Sequence, residues 1–124
     1  MTWDQLRAMA DAGMAIGSHT LTHRVLASLN EEDQRREIFT SKIRLEKELG
    51  REMRSFAYPL GGPDHINEDS IRLAREAGYR IAYTFSTGAA SRINDPWSIR
   101  RIDGTNSLSM LSLSTMFPNF VNAR

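Results

Sequence analysis

The chain has 124 residues, 40% apolar and 25% charged, an ordinary globular mix long enough for one domain or a piece of a larger one. Its 16 basic and 15 acidic residues leave a formal net charge of +1, without the concentrated basic patch of a nucleic-acid surface. There is no apolar run of membrane-spanning length, and the absence of cysteine excludes disulfides and thiolate ligands while leaving the compartment open.

The N-terminal residues Met1–Gln5 lack the charged and apolar regions of a signal peptide. Thr2 followed by Gln5 reads as a capping box, and Trp3, Leu6 and Ala10 share one face of the helix it opens. Gly13 ends that helix, and Met14-Ala15-Ile16-Gly17 reads as a short buried strand. A polar segment follows, Ser18-His19-Thr20-Leu21-Thr22-His23. It holds two of the three histidines, four residues apart, and neutral imidazole is the commonest ligand for a borderline divalent metal.

Asn30 is placed to cap the longest helix, with Glu31, Glu32 and Asp33 in its first turn. Glu31–Arg35 and Glu32–Arg36 are spaced i,i+4 in the favourable order. Ile38, Leu45 and Leu49 form its apolar stripe, with Phe39 and Ile43 beside it, and Gly50 stops it. The charged run over 31–48 reads as the wet face of this helix. Ser55-Phe56-Ala57-Tyr58 is the next strand, closed by Pro59-Leu60-Gly61-Gly62-Pro63. Asn67 caps a third helix, which turns Ile71 and Ala74 inward and ends at Gly78. Tyr79–Phe85 reads as a strand, 86–97 as a loop and Trp97–Ile102 as another strand. Over Leu108–Phe117, Asn106 as cap and Pro118 as stop favour a helix over a strand.

Alternating helices and strands imply an α/β layer with a mostly parallel sheet. Ligand sites in such sheets collect at the carboxyl ends of the strands, where both His19–His23 and Pro59–Gly62 fall.

At this point the residues resemble a family. Gly17-Ser18-His19-Thr20-Leu21-Thr22-His23, with Leu26 after it, is similar to the second motif of the polysaccharide deacetylases (carbohydrate esterase family 4, the NodB homology domain). Phe56-Ala57-Tyr58-Pro59-Leu60-Gly61 resembles their third motif, and Ala77–Thr84 resembles a later strand. The resemblance implies a (β/α) barrel-like fold, here incomplete, over residues 1–124 as a single partial domain. It implies metal-dependent removal of acetyl groups from an N- or O-acetylated polysaccharide or oligosaccharide. It also suggests a bacterial cell envelope or secreted setting.

By position, the resemblance makes His19 and His23 ligands of a divalent metal, most often zinc, with Thr20 bracing their loop. It puts Tyr58, Pro59 and the backbone N–H of Leu60 in the catalytic turn, the last as an oxyanion donor, with Gly61 shaping that turn. The family's aspartate motif, Thr-Phe-Asp-Asp-Gly, and its Leu-x-x-His motif do not occur in the chain. Ala57 stands where many members have arginine, and His65 does not match the family's acid histidine. The expectation is the C-terminal part of a deacetylase domain, weak or inactive as an isolated chain. The alternative is a non-catalytic carbohydrate-binding or interaction module that keeps the fold. An exposed sheet edge is expected, with dimerisation through it.

Overall fold

In the computed structural model, the described residues are 1–87 and 95–101. They form three helices, α1 (Trp3–Asp11), α2 (Glu31–Leu49) and α3 (Glu68–Glu76), and three strands, β1 (Ser55–Ala57), β2 (Ile81–Thr87) and β3 (Ile99–Arg101). Single 3₁₀ turns lie at Leu26–Ser28 and Pro63–His65. The helix starts follow from local chemistry. Thr2 and Gln5 cap each other reciprocally, Thr2 Oγ1 accepting from Gln5 N at 3.3 Å and Gln5 Oε1 from Thr2 N at 2.8 Å. Asn30 Oδ1 and Asn67 Oδ1 each accept an orphan amide at 2.9 Å, from Asp33 and Ser70. Gly50, at φ 63°, ends α2 in the left-handed conformation that suits glycine.

The strands are all parallel and adjacent in chain order, β1-β2-β3. Parallel neighbours in chain order are the winding of a (β/α) barrel, whereas a doubly wound sheet reverses its order at a switch point. Among the described residues the sheet stays open, as expected of an incomplete barrel. Its helix-facing side is dry: Phe56, Tyr58, Ala82 and Leu73 are buried with Ile38 and Leu26 from the α2 side. Phe56 packs edge-on to Tyr58 and tilted on Tyr79, with centroids 5.1 and 5.0 Å apart. The opposite face, carrying Ala57, Tyr83 and Phe85, is only half-buried or exposed. Among the described residues, there is no helix long and apolar enough to cross a membrane.

Several expectations need correction. Met14–Gly17 is not a strand; pairing shrinks to one parallel bridge at Ser18, which donates to Ser55 O at 3.0 Å and accepts from Ala57 N at 2.9 Å. Among the described residues this segment has a strand neighbour on one side only, and Met14 is exposed. β1 stops at Ala57, although Tyr58 N still donates to Tyr83 O at 3.0 Å. β2 begins at Ile81 rather than Tyr79, because Tyr79 turns into the core and the amides of Arg80 and Ile81 both converge on Arg54 O. β3 begins at Ile99 rather than Trp97, and Ile102 lies outside the described residues. Ile43 does not join the apolar stripe and is 63% exposed. Glu37 lies inside the charged run yet is buried, with Gln34 and Ser41. The expected helix at Leu108–Phe117 lies outside the described residues.

Candidate functional site

The chain leaves the Ser18 bridge into the histidine loop. Ser18 is locked from below, its hydroxyl 2.8 Å from that of Ser41, which itself donates to Ile38 O. Gly17 is required here by contact: a Cβ would sit 2.6 Å from Ser55 Oγ and 3.2 Å from Ser55 O. Beyond it, Thr20 and His23 take positive φ values of 66° and 62°. Both are uncommon for non-glycine residues and must be held by the surroundings. Thr20 Oγ1 accepts from His23 N at 3.1 Å.

The imidazoles of His19 and His23 come together, with ring centroids 4.8 Å apart and planes at 73°. Two imidazoles on one tetrahedral zinc, at Zn–N of about 2.1 Å, have centroids about 5 Å apart. His19 Nδ1 lies 2.7 Å from Ala57 O. A carbonyl only accepts, so Nδ1 carries the proton and Nε2 keeps its lone pair outward. That is how a metal-binding histidine is usually oriented, by a backbone acceptor on its other nitrogen. Both rings are exposed, and His19 lines a groove of about 490 Å³ between α1 and α2, with Trp3, Arg44 and Leu45 on its walls. The donor set therefore fits two ligands of a divalent ion. There is no cluster of three histidine, aspartate or glutamate residues that could complete it among the described residues.

Sequence reading missed Glu37, the residue that grips this loop. Its Oε2 accepts from Leu21 N at 2.9 Å and Thr22 N at 2.8 Å, and its Oε1 accepts from the Thr22 hydroxyl. Burial alone would raise its pKa; the Thr22 hydroxyl, the two amides and the nearby Arg24 charge outweigh this and hold the carboxyl below its usual value. A signal existed: residues 34, 37, 38 and 41 share a helix face with the stripe, so three polar side chains point inward.

The second half of the candidate site is the turn after β1. Gly61 N donates to Pro59 O at 2.6 Å across Leu60, whose φ is +56°. This is a γ-turn of the rarer, strained hand. Gly61, at φ +59°, has room for no side chain: a Cβ would lie 2.6 Å from Phe85 N and 3.1 Å from Thr84 C. Its carbonyl accepts from Phe85 N at 2.8 Å, tying the turn to β2. The Leu60 side chain is exposed, and its N–H donates to none of the described backbone acceptors. Tyr58 differs from its neighbours. Its side chain is fully buried and its hydroxyl donates to Trp97 O at 3.1 Å. Burial, with the Asp95 charge, pushes its pKa well above the ordinary phenol value. Trp97 itself packs against the core beneath Arg75. His65 caps its own turn, accepting at Nδ1 from Gly62 N at 3.2 Å.

The sequence profile of the polysaccharide deacetylases matches residues 1–82, about two-thirds of the chain. The chain belongs to the polysaccharide deacetylase family. It is 30% identical over 102 residues to the putative polysaccharide deacetylase YxkH of Bacillus subtilis (strain 168). That alignment covers 82% of the chain and 36% of YxkH. Among solved structures, it superposes on the Streptococcus pyogenes deacetylase PplD, determined with acetate, at a TM-score of 0.85 and 30% identity, covering 95% of this chain and 51% of that one. The deacetylase domain of BpsB from Bordetella bronchiseptica follows at 0.73 and 27%, covering 82% and 48%. The chain thus spans about a third of YxkH and about half of PplD.

Proposed function

We propose that this chain carries the two-imidazole half of a divalent metal site, most often zinc in such chemistry, in a deacetylase acting on acetylated glycans. The observation that carries this is the paired His19 and His23 rings, with His19 Nδ1 engaged by Ala57 O so that Nε2 faces outward. A bound divalent ion would supply polarisation of an acetyl carbonyl and a more acidic bound water. The protein's own part is positional. Thr20 holds the second histidine, and the Leu60 N–H at the strained turn is the candidate donor to an oxyanion. Pro59 and Gly61 fix the direction of that N–H, and Tyr58 anchors the turn from the core rather than meeting substrate.

Two imidazoles without a carboxylate bind zinc more weakly than three ligands do. The isolated chain is therefore expected to bind zinc weakly and to turn over little or no acetylated glycan. Calorimetric titration with Zn²⁺ should show binding that is lost in His19→Ala and in His23→Ala. Equal heats for the parent and both variants would overturn the metal reading. Robust release of acetate from a chitin oligomer with added zinc would overturn the inactivity.

The missing third ligand among the described residues also supports a second reading, a glycan-binding module without turnover. Glycan binding by the chain that is unchanged in His19→Ala and independent of zinc would favour it.

A further inference from the structure

We propose that Glu37 is the positioning residue of the histidine pair: a buried carboxylate on α2 that sets the loop between the two imidazoles and so their convergence. This rests on the metal reading for its purpose, but its geometry stands apart from it. The loop between His19 and His23 is short, and Thr20 within it and His23 at its end hold positive φ values. Such a conformation persists only where outside contacts impose it. The contacts that do so come from Glu37, 15 and 16 residues away along the chain. Its two oxygens take the amides of Leu21 and Thr22 and the Thr22 hydroxyl, three donors from two of the three residues between the histidines.

The anchor at the other end is equally fixed. Glu37 is 6% exposed and lies on the face of α2 that carries Ile38 and Ser41 into the core. Ser41 in turn holds Ser18, the residue just before His19. One helix face therefore grips the loop at its base and at its middle. The first grip places His19, and the second decides where the chain goes before His23. Arg24, on the loop side, is the cation nearest in effect to the carboxylate, and Arg24 also pairs with Asp33 of α2 at 3.8 Å. Glu37 is not a third metal ligand in this arrangement, since its oxygens face the loop backbone and it forms no three-residue ligand cluster.

The test uses the full chain and reads the loop without metal as well as with it. Glu37→Leu removes every acceptor. Glu37→Gln is the rescue, because its amide oxygen can still take the Leu21 and Thr22 N–H groups while the Thr22 hydroxyl reverses to accept. Thr22→Val deletes one of the three bonds and leaves α2 untouched, so it keeps the test decisive if Glu37→Leu fails to fold. In metal-free NMR spectra, the parent should show proton contacts between the His19 and His23 rings and slow exchange of the Leu21 and Thr22 amides. Glu37→Leu should lose the ring contacts and exchange those amides at least about tenfold faster, with Thr22→Val between it and the parent and Glu37→Gln near the parent. Where the parent binds Zn²⁺, the Leu variant should bind about 10- to 100-fold more weakly, the usual loss on removing a supporting contact. Ring contacts and exchange rates unchanged in both Glu37→Leu and Thr22→Val would overturn the proposal. A parent that ignores Zn²⁺ but loses its ring contacts in these variants would overturn the metal reading and leave the positioning role established.

Discussion

At the scale of single residues, the candidate site depends on main-chain conformation more than on side-chain identity. Leu60 and Gly61 form a strained turn because Gly61 touches the backbone of β2, where nothing can yield. Gly13 also has a positive φ, 88°, but a Cβ there meets nothing within 4 Å. Gly13→Ala should therefore cost about 1 kcal/mol, the left-handed penalty alone. Gly61→Ala should cost distinctly more, about 3 kcal/mol, since the clash adds to that strain. Urea unfolding of the two variants checks the order; equal losses would mean the turn relaxes freely. Glu37 gives a pH prediction with a definite sign. Its folded pKa lies below the unfolded value near 4.5, so its carboxylate stabilises the fold at neutral pH. That contribution fades as pH falls through 4.5 and on through the lowered folded value. The stability gap between the parent and Glu37→Gln should be present at pH 7 and close toward pH 3. A gap that widens on acidification would contradict the assignment.

Among the elements, α2 is the organiser, and it shows what sequence does and does not reveal. Its ends were legible because capping is local: Asn30, the acidic first turn and Gly50 act within a few residues. Asn30→Ala should lose about 1 kcal/mol in thermal or urea unfolding, and an unchanged midpoint would mean the cap is replaced by water. Its inner face was legible only in part. Periodicity puts Gln34, Glu37 and Ser41 on the face of the stripe, but Glu37 and Ser41 meet partners 15 to 23 residues away, and periodicity does not name them. The same holds for Met14–Gly17. An apolar run reads as a buried strand, but burial needs neighbours on both sides, and among the described residues this segment has β1 on one side only. The histidine spacing and the proline–glycine turn were readable because their residue types mark the local conformation. Their meeting through the Ala57 carbonyl was not, because it joins positions 38 residues apart.

For the molecule as a whole, the open sheet governs behaviour. Among the described residues, the Ser18 segment is an edge, and none covers the face carrying Tyr83 and Phe85, whereas a parallel sheet normally has cover on both sides. Phe85 is 53% exposed there, with the Arg101 guanidinium over its ring. We expect the isolated chain to self-associate through this edge and face. Light scattering should show mass rising with concentration, and a constant monomer mass across the range would count against it. The charges joining α2 to α3, such as Arg72 with Glu31 and Arg35 with Glu76, are exposed and contribute little, so added salt should not dissolve the helix packing.

The His19–Ala57 contact has a different kind of consequence, concerning what mutation can reach. The acceptor is a main-chain oxygen, and every residue that could stand at position 57 possesses one. No point substitution there deletes it. The side chain at 57 is thus free to change from arginine to alanine, or back, without altering which nitrogen of His19 bears the proton. Heredity can rewrite one face of this strand while the other keeps the imidazole aimed.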